Sequence, residues 1–205
     1  MYRFWFSPKA AFPSLFSQLA IRTGSKLFQL VKDGAPMEVR NCHGLTPLQV
    51  VCAKKEHEMA SSLLRAGCQA NAKSSSGGKT ALALAAFVGH FEIFESLINH
   101  GADIDCKDDH GWTILHEAVL GNSVEIVEHV CKIRPKMKYT ECTNGRTPLH
   151  LAAFCNSSEE LLKGMLTPED TMLLSKYKDA NGRTITQMAS LHSQHDWGAI
   201  LSEET

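Results

Sequence analysis

Histidine and cysteine are the side chains of this protein best suited to metal binding or nucleophilic chemistry, and it has ten histidines and seven cysteines. The cysteines are scattered over positions 42, 52, 68, 106, 131, 142 and 155. Zinc ligands come in clusters, commonly as pairs about two to four residues apart, and no two cysteines stand that close. An odd number of scattered thiols indicates small buried side chains in a reducing compartment. We therefore predict neither a metal site nor a disulfide framework.

Two short patterns suggest chemistry but lack the residues that would complete it. His192 and His195 are three residues apart, without cysteine or acidic partners at ligand spacing. The segment 77–80, Gly-Gly-Lys-Thr, ends like a phosphate-binding loop, but position 73 is Lys where that loop has Gly. No short motif marks a nucleophile beside a base. We therefore predict no cofactor and no enzymatic activity.

The charge balance limits the classes of partner. The chain has 21 basic and 22 acidic residues, a formal net charge of -1, so its overall charge does not attract nucleic acid or an anionic membrane. No apolar run approaches the roughly 18 residues of a transmembrane helix. We predict no nucleic-acid partner and no membrane insertion.

A glycine followed two residues later by a threonine recurs five times. The spacings between successive threonines are 34, 33, 34 and 37 residues, and the threonines are Thr46, Thr80, Thr113, Thr147 and Thr184. An apolar stretch follows each threonine, and in most copies a polar break and a second apolar stretch come next. A period in this range is typical of repeat proteins in which each unit is one supersecondary element. The chain is therefore predicted to be a stack of similar units.

The residue pattern within a unit predicts two short helices. Pro47 and Pro148 follow their threonines at a first helical position, where a missing N–H has no cost, and threonine is a suitable N-cap. The apolar stripe in 93–98 indicates a second helix. Gly67 and Gly101 stand where a left-handed residue would end that helix. One helix pair cannot bury its apolar stripe alone, so neighbouring units must stack.

These residues resemble the ankyrin repeat, most clearly in the segment 147–153, Thr-Pro-Leu-His-Leu-Ala-Ala, and the resemblance runs from about residue 14 through nearly the whole chain. It implies an all-α ankyrin-repeat solenoid of about six helix-turn-helix units joined by β-hairpin-like loops, with atypical capping repeats at both ends. It also implies that His116 and His150 make bridging hydrogen bonds within the stack.

The predicted domain organisation is a single repeat domain over residues 14–202. It lies between a basic and aromatic tail, 1–13, and a short tail, 203–205; its units are 14–40, 41–73, 74–107, 108–139, 140–178 and 179–202. The fourth unit ends in Ile133-Arg134-Pro135, where Gly-Ala is usual, which leaves the geometry of the fourth-to-fifth junction open. In the fifth unit, the segment 167–170 predicts an inserted short helix.

The resemblance also indicates where a partner would bind, because ankyrin partners usually contact the hairpin tips and the first-helix surface. The candidate residues are His43, Leu45, Lys54, Lys79, Phe87, Val88, His110, Trp112, Leu120, Arg146, Phe154 and Arg183. Five of them are expected to form an apolar strip, namely Phe87, Val88, Trp112, Leu120 and Phe154, with Lys54, Lys79, Arg146 and Arg183 at its rim. Aromatic residues near arginine are typical of binding hot spots. The alternative is that some of these side chains fold down between neighbouring units.

A modification site is also predicted. The segment 63–71 resembles the ankyrin segment whose last residue is β-hydroxylated by the oxygen-dependent asparaginyl hydroxylase, which here would be Asn71. The third unit has Asp105 at the equivalent position. The alternative is that Asn71 hydrogen-bonds its own hairpin loop.

The function expected from these features is a non-catalytic protein–protein interaction module, an adaptor or scaffold whose partner presents apolar anchors with some acidic character. One alternative is an inhibitory subunit that masks a transcription factor, kinase or phosphatase. Another is the ankyrin portion of a larger ubiquitin-ligase adaptor or channel. We expect a monomer in the cytoplasm or nucleus. Residues 1–32 have five basic residues and no acidic one, so a mitochondrial transit peptide is a further alternative.

Overall fold

The computed structural model describes residues 37–192, and the statements below refer to that part of the chain. It contains nine α-helices and two 3-10 helices. The α-helices are α1 Pro47–Ala53, α2 His57–Arg65, α3 Ala81–Val88, α4 Phe91–Asn99, α5 Ile114–Leu120, α6 Val124–Ile133, α7 Pro148–Phe154, α8 Glu159–Met165 and α9 Ile185–His192. The 3-10 helices are Pro135–Tyr139 and Pro168–Met172. Within these residues the only β pairing is an isolated bridge between Lys178 and Thr184.

The helices form two layers with the apolar core between them. In the first layer, α1, α3, α5, α7 and α9 pack against one another in that order, and in the second layer α2, α4, α6 and α8 do the same. The second residue after the repeat threonine is a leucine at most 2% exposed in four consecutive units: Leu48, Leu82, Leu115 and Leu149. Burying each such side chain stabilises the fold by roughly 1.5–3 kcal/mol. The predicted all-α stack of helix pairs is confirmed.

Four of the five repeat threonines cap their first-layer helices as predicted, whereas the hydroxyl of Thr113 contacts the His116 ring. The Thr80 hydroxyl accepts a hydrogen bond from the backbone N–H of Ala83 at 3.3 Å, which satisfies one of the free amides of the first turn. The glycine two residues before each threonine allows the loop to turn. Gly111, for example, has φ +74, and a Cβ there would lie 3.3 Å from the backbone nitrogen of Thr143 in the next unit.

A left-handed residue also joins the two helices of a unit. It is the ninth residue after the repeat threonine, namely Lys55 (φ 61), Gly89 (φ 74), Asn122 (φ 51) and Asn156 (φ 51). Glycine and asparagine adopt this conformation readily, whereas lysine does so at a cost. The turn after α1 is therefore the most strained of the four.

The fourth-to-fifth junction departs from the pattern of the earlier units. α2 and α4 are followed by Gly67 (φ 90) and Gly101 (φ 82), as predicted. After α6 the chain instead passes through Arg134, with φ -138, into the 3-10 helix Pro135–Tyr139. The insertion predicted in the fifth unit is the second 3-10 helix. Lys138 joins the two, with its Nζ 2.6 Å from an Asp170 carboxylate oxygen.

Several predictions fall on residues outside the described range. They are most of the first unit, the basic tail, His195 and the second helix of the last unit. Of the helices within residues 37–192, none combines the length and the apolar character that crossing a membrane requires.

Candidate partner-binding surface

Exposed apolar side chains recur at one position of four consecutive first-layer helices. This position is the seventh after the repeat threonine, and its residues are Phe87 (43% exposed), Leu120 (40%), Phe154 (46%) and Leu191 (66%). We call these four residues the apolar row. They come from α3, α5, α7 and α9, which are successive neighbours in the first layer. Contiguous exposed apolar surface is unusual on a monomer and marks an interaction site.

The apolar row differs from the strip predicted from the sequence. Phe87, Leu120 and Phe154 are exposed as expected, but Val88 and Trp112 are half-buried. Trp112 lies face to face with the His116 ring of its own unit at 5.7 Å, and the Nζ of Lys79 in the preceding unit lies 6.0 Å from the Trp112 ring. Leu191 was missed, although its place seven residues after the last repeat threonine was a usable signal.

The cationic rim proves to be largely paired within the protein. Lys79 Nζ lies 2.6 Å from a carboxylate oxygen of Glu117, whose side chain is only 2% exposed. Burial raises the pKa of Glu117, and the contact with Lys79 opposes that rise. Sequence reasoning missed Glu117. Its signal was a carboxylate at the fourth position after the repeat threonine, where the neighbouring units have Leu84 and Leu151.

The two arginines of the rim share one buried carboxylate. Arg183 Nη2 lies 2.9 Å from Asp179, and Arg146 Nε lies 3.9 Å from the same side chain. The Arg146 guanidinium also stands over the Phe154 ring at 5.3 Å, and the edge of His192 meets that ring at 5.1 Å. Arg146 thus places positive charge against the apolar row, in the geometry of a cation–π contact.

The remaining candidate residues differ in exposure. His43, Lys54 and His110 are exposed, and Leu45 is half-buried. Lys54 forms no ion pair within the described residues. It is therefore the one candidate cation whose charge is not already offset by a neighbouring carboxylate.

The two histidines predicted to bridge the stack do so. His116 Nδ1 accepts a hydrogen bond from the backbone N–H of Thr113 at 3.1 Å, so its Nε2–H donates to the carbonyl of Arg146 in the next unit, also at 3.1 Å. His150 repeats the arrangement, with Nε2 3.3 Å from the carbonyl of Arg183. Burial lowers the pKa of His116 to about 4, against the opposing effect of the bond to Arg146. These rings are structural and neutral.

A glutamine makes the equivalent bridging hydrogen bonds in the second unit. Gln49 stands at the equivalent position, accepts a hydrogen bond from the Thr46 N–H at 2.9 Å, and donates to the carbonyl of Lys79 at 2.9 Å. Ala83 occupies this position in α3, so the next interface has no such bridge from α3. Gln187 in α9 again accepts from its threonine N–H, at 2.9 Å.

The cysteines are less uniform than predicted. Cys52, Cys68 and Cys142 are buried, and burial raises the pKa of Cys52 to about 12. Cys42 and Cys155, however, are exposed, so the expectation of uniformly buried thiols is wrong for these two. Among residues 37–192 no three potential metal ligands come together.

Asn71 joins the loops of successive units. Its amide nitrogen donates to the carbonyl of Gly101 at 3.0 Å, and its amide oxygen accepts from the N–H of Asp103 at 2.7 Å. The alternative in which Asn71 bonds its own hairpin loop is therefore wrong, because both partners belong to the loop of the next unit. The residue itself is exposed.

Comparison with known proteins agrees with this architecture. A family model described as ankyrin repeats (3 copies) matches residues 18–108 and 100–173. The chain is 31% identical over 136 residues to an ankyrin repeat protein of fowlpox virus (strain NVSL), covering 63% of this chain and 40% of that protein. It is 37% identical over 183 residues to the protein fem-1 homolog A-like of Mus musculus, covering 82% of this chain and 28% of the relative.

A third relative is named for a regulatory role. Protein phosphatase 1 regulatory subunit 12A of Mus musculus is 28% identical over 169 residues, which cover 77% of this chain and 16% of that subunit. The chain therefore spans less than half the length of each of these three relatives.

Proposed function

Because the chain belongs to the ankyrin-repeat family, whose members are protein-interaction modules, we propose that it is a non-catalytic adaptor that binds a partner protein through the apolar row. The observation that carries the proposal is the recurrence of an exposed apolar side chain at one position of four successive helices. A single exposed leucine or phenylalanine is ordinary on a protein surface, whereas four at the same position of neighbouring helices support a shared binding face.

The chemistry of the partner follows from the neighbours of the row. Apolar side chains of the partner would pack on Phe87, Leu120, Phe154 and Leu191, and Arg146 and Lys54 would favour carboxylates beside them. Lys79 and Arg183 contribute less to this preference, because each already has a carboxylate within 2.9 Å. We therefore propose a predominantly apolar anchor with a limited acidic contribution.

The test places a charge in the row without disturbing the core. Leu120→Glu and Phe154→Glu are combined in the full chain, and Met172→Glu is the matched control, since Met172 is an apolar side chain 83% exposed outside the row. Proteins captured from cell extract are quantified for each form. We expect one or more proteins that bind the parent and the control but not the double variant. Identical capture by all three, with unchanged circular dichroism, would refute the role of the row.

A second function, the masking of an enzyme or transcription factor as an inhibitory subunit, is favoured by one observation. A relative that matches 77% of this chain is named as a regulatory subunit of protein phosphatase 1. If this function holds, the captured protein will lose activity when the chain is added and regain it with the Leu120→Glu, Phe154→Glu form. If the activity of the captured protein were unaffected, only the adaptor function would remain.

We further propose that Asn71 is a hydroxylation site and that the protein works in the cytoplasm or nucleus. Asn71 is exposed and lies in the segment that resembles the hydroxylase target. Mass spectrometry of the protein isolated from cells should show one added oxygen atom on the peptide that contains Asn71. Its absence under full oxygenation would refute this proposal. The odd number of scattered cysteines supports a reducing compartment, which cell fractionation would test.

A further inference from the structure

A cleft of about 520 Å³ lies at the C-terminal end of α6. It is bounded on one side by the loop that holds Asp105 and Lys107, and on the other by the 3-10 helix Pro135–Tyr139. The volume is within the range of about 300–1,000 Å³ typical of ligand pockets. No residue of the apolar row lines the cleft, so it is a separate surface.

The cleft occurs where the fourth unit departs from the repeat pattern. The second-layer helices α2 and α4 are followed by a left-handed glycine, which turns the chain sharply. After α6, Arg134 is not left-handed, and Pro135 cannot continue the helical hydrogen bonding because it has no N–H. The chain therefore leaves in a different direction, and the 3-10 helix forms one wall of the cleft.

The lining combines an apolar surface with positive charge. Met137 is buried at 6% exposure, while Ile133 is 42% exposed. Lys107 and Lys136 also line the cleft, and neither forms an ion pair within residues 37–192. Lys73 adds a further cation beside them, because its Nζ lies 2.7 Å from the carbonyl of Lys107.

A single carboxylate opposes these cations. Among the described residues that line the cleft, Asp105 is the only acidic one, and its two oxygens both lie 3.3 Å from the Nε of Arg134. Arg134 also donates from Nη1 to the carbonyl of Ile133 at 3.1 Å. The formal charge of the lining is therefore positive although the whole chain is at -1. A positive concave surface attracts acidic groups selectively.

Contacts with the protein interior fix the 3-10 helix Pro135–Tyr139, which forms one wall of the cleft. Lys138, next to the lining residue Met137, points into the protein and places its Nζ 2.6 Å from Asp170 and 3.2 Å from the carbonyl of Met165. Tyr139 stacks on Tyr177 at 5.2 Å. A surface fixed by such contacts loses little conformational freedom when it binds a ligand.

We propose that this cleft binds an acidic peptide segment of a second partner protein, with an aliphatic side chain of that segment against Ile133 and its carboxylates at Lys107 and Lys136. The inference goes beyond the binding face described above and does not depend on it. Two surfaces on one chain would allow the protein to hold two partners at once.

The test uses a defined probe and the full chain. The probe is a capped pentapeptide with leucine between two pairs of glutamates, added to isotope-labelled protein while amide signals are followed by NMR. We expect saturable shifts of the amides of residues 105–107 and 133–140. Two control peptides, one with glutamine for every glutamate and one with glycine for the leucine, should bind at least about tenfold more weakly.

Charge reversal identifies the residues responsible. Lys136→Glu should weaken the probe by about tenfold or more, since it places like charges together. Lys132→Glu is the matched control, because Lys132 is exposed in the last turn of α6, four residues before Lys136, but does not line the cleft. The Leu120→Glu, Phe154→Glu form should bind the probe as the parent does, so this inference and the proposed function can fail separately.

Each of the following results would overturn the proposal. They are equal weakening by Lys132→Glu, equal binding of the glycine peptide, and shifts of the same amides by inorganic phosphate as large as those caused by the peptide. The first would show a general charge effect, the second would remove the aliphatic anchor, and the third would indicate a simple anion site. Absence of any shift at millimolar peptide would also refute it.

Discussion

The buried histidine His116 should make the stability of the protein depend on pH. Burial lowers its pKa from 6.5 to about 4 in the folded protein. As the pH falls below 6.5, His116 is protonated in the unfolded chain but stays neutral in the folded chain. The free energy of unfolding therefore declines until the pH reaches the pKa of His116 in the folded protein. The stabilisation is therefore complete above pH 6.5 and is lost on the way down to about pH 4.

The magnitude follows from that difference. Each pKa unit corresponds to about 1.4 kcal/mol, so the free energy of unfolding falls by roughly 3 kcal/mol in all. At pH 5 the decrease is already roughly 2 kcal/mol. His150 contributes in the same direction, since burial lowers its pKa as well. For a small repeat protein such a loss is a substantial part of the total stability.

The substitution His116→Gln isolates this effect. Gln49 shows that glutamine can accept from the threonine N–H and donate to the next loop in this position, both at 2.9 Å, without titrating. We expect the free energy of unfolding of the variant, measured in urea by circular dichroism, to fall less between about pH 7.5 and pH 5 than that of the parent, by roughly 2 kcal/mol. His110→Gln, at an exposed position, controls for the loss of one histidine.

The reasoning would be refuted if the free energy of unfolding declined between about pH 7.5 and pH 5 by amounts that differ by less than about 0.5 kcal/mol between the parent and His116→Gln. Such a result would mean that the folded protein accepts the proton at His116 as easily as the unfolded chain does. The hydrogen bond that Nδ1 accepts from the backbone N–H of Thr113 would then have to be lost on protonation at little cost.

Three further predictions concern stability measured by the same urea titration. Lys55→Gly should stabilise the protein by about 0.5–1 kcal/mol, because it relieves a left-handed lysine at φ 61; a loss would contradict it. Gly121→Ala should destabilise by about 3 kcal/mol, because a Cβ there collides with a backbone carbonyl of the preceding unit, whereas Gly164→Ala meets only a flexible side chain and should be tolerated. Lys138→Met should cost about 3 kcal/mol by leaving the buried Asp170 carboxylate without its counter-charge, and Lys136→Met, at an exposed position, should cost less than about 0.5 kcal/mol.

The repeat pattern predicts backbone features better than it predicts side-chain partners. The threonine caps and the glycine ends of α2 and α4 followed from local signals, and the bridging rings of His116 and His150 followed from the resemblance to the ankyrin repeat. These features depend on the helix positions within a unit, which the period fixes.

The binding surface was predicted less well, for a physical reason. Trp112 lies against His116 of its own unit and near Lys79 of the preceding unit, and the position in the repeat does not determine this orientation. The pairing of Lys79 with Glu117 joins residues 38 positions apart in adjacent units. Contacts between units therefore need the three-dimensional structure, whereas the helices themselves do not.

The insertion in the fifth unit indicates where such a protein can accept additional residues. The threonine spacing lengthens there from 34 to 37 residues, yet α7 and α9 still pack together, and His150 reaches the next loop at 3.3 Å, close to the 3.1 Å of His116. The added residues form the 3-10 helix Pro168–Met172, in which Asp170 is buried against Lys138 and Met172 is 83% exposed. Residues acquired beside Met172 during evolution, or a tag placed there by an engineer, would extend into solvent and leave the helix spacing unchanged. The junction between the fifth and sixth units is thus a natural point of entry for new sequence.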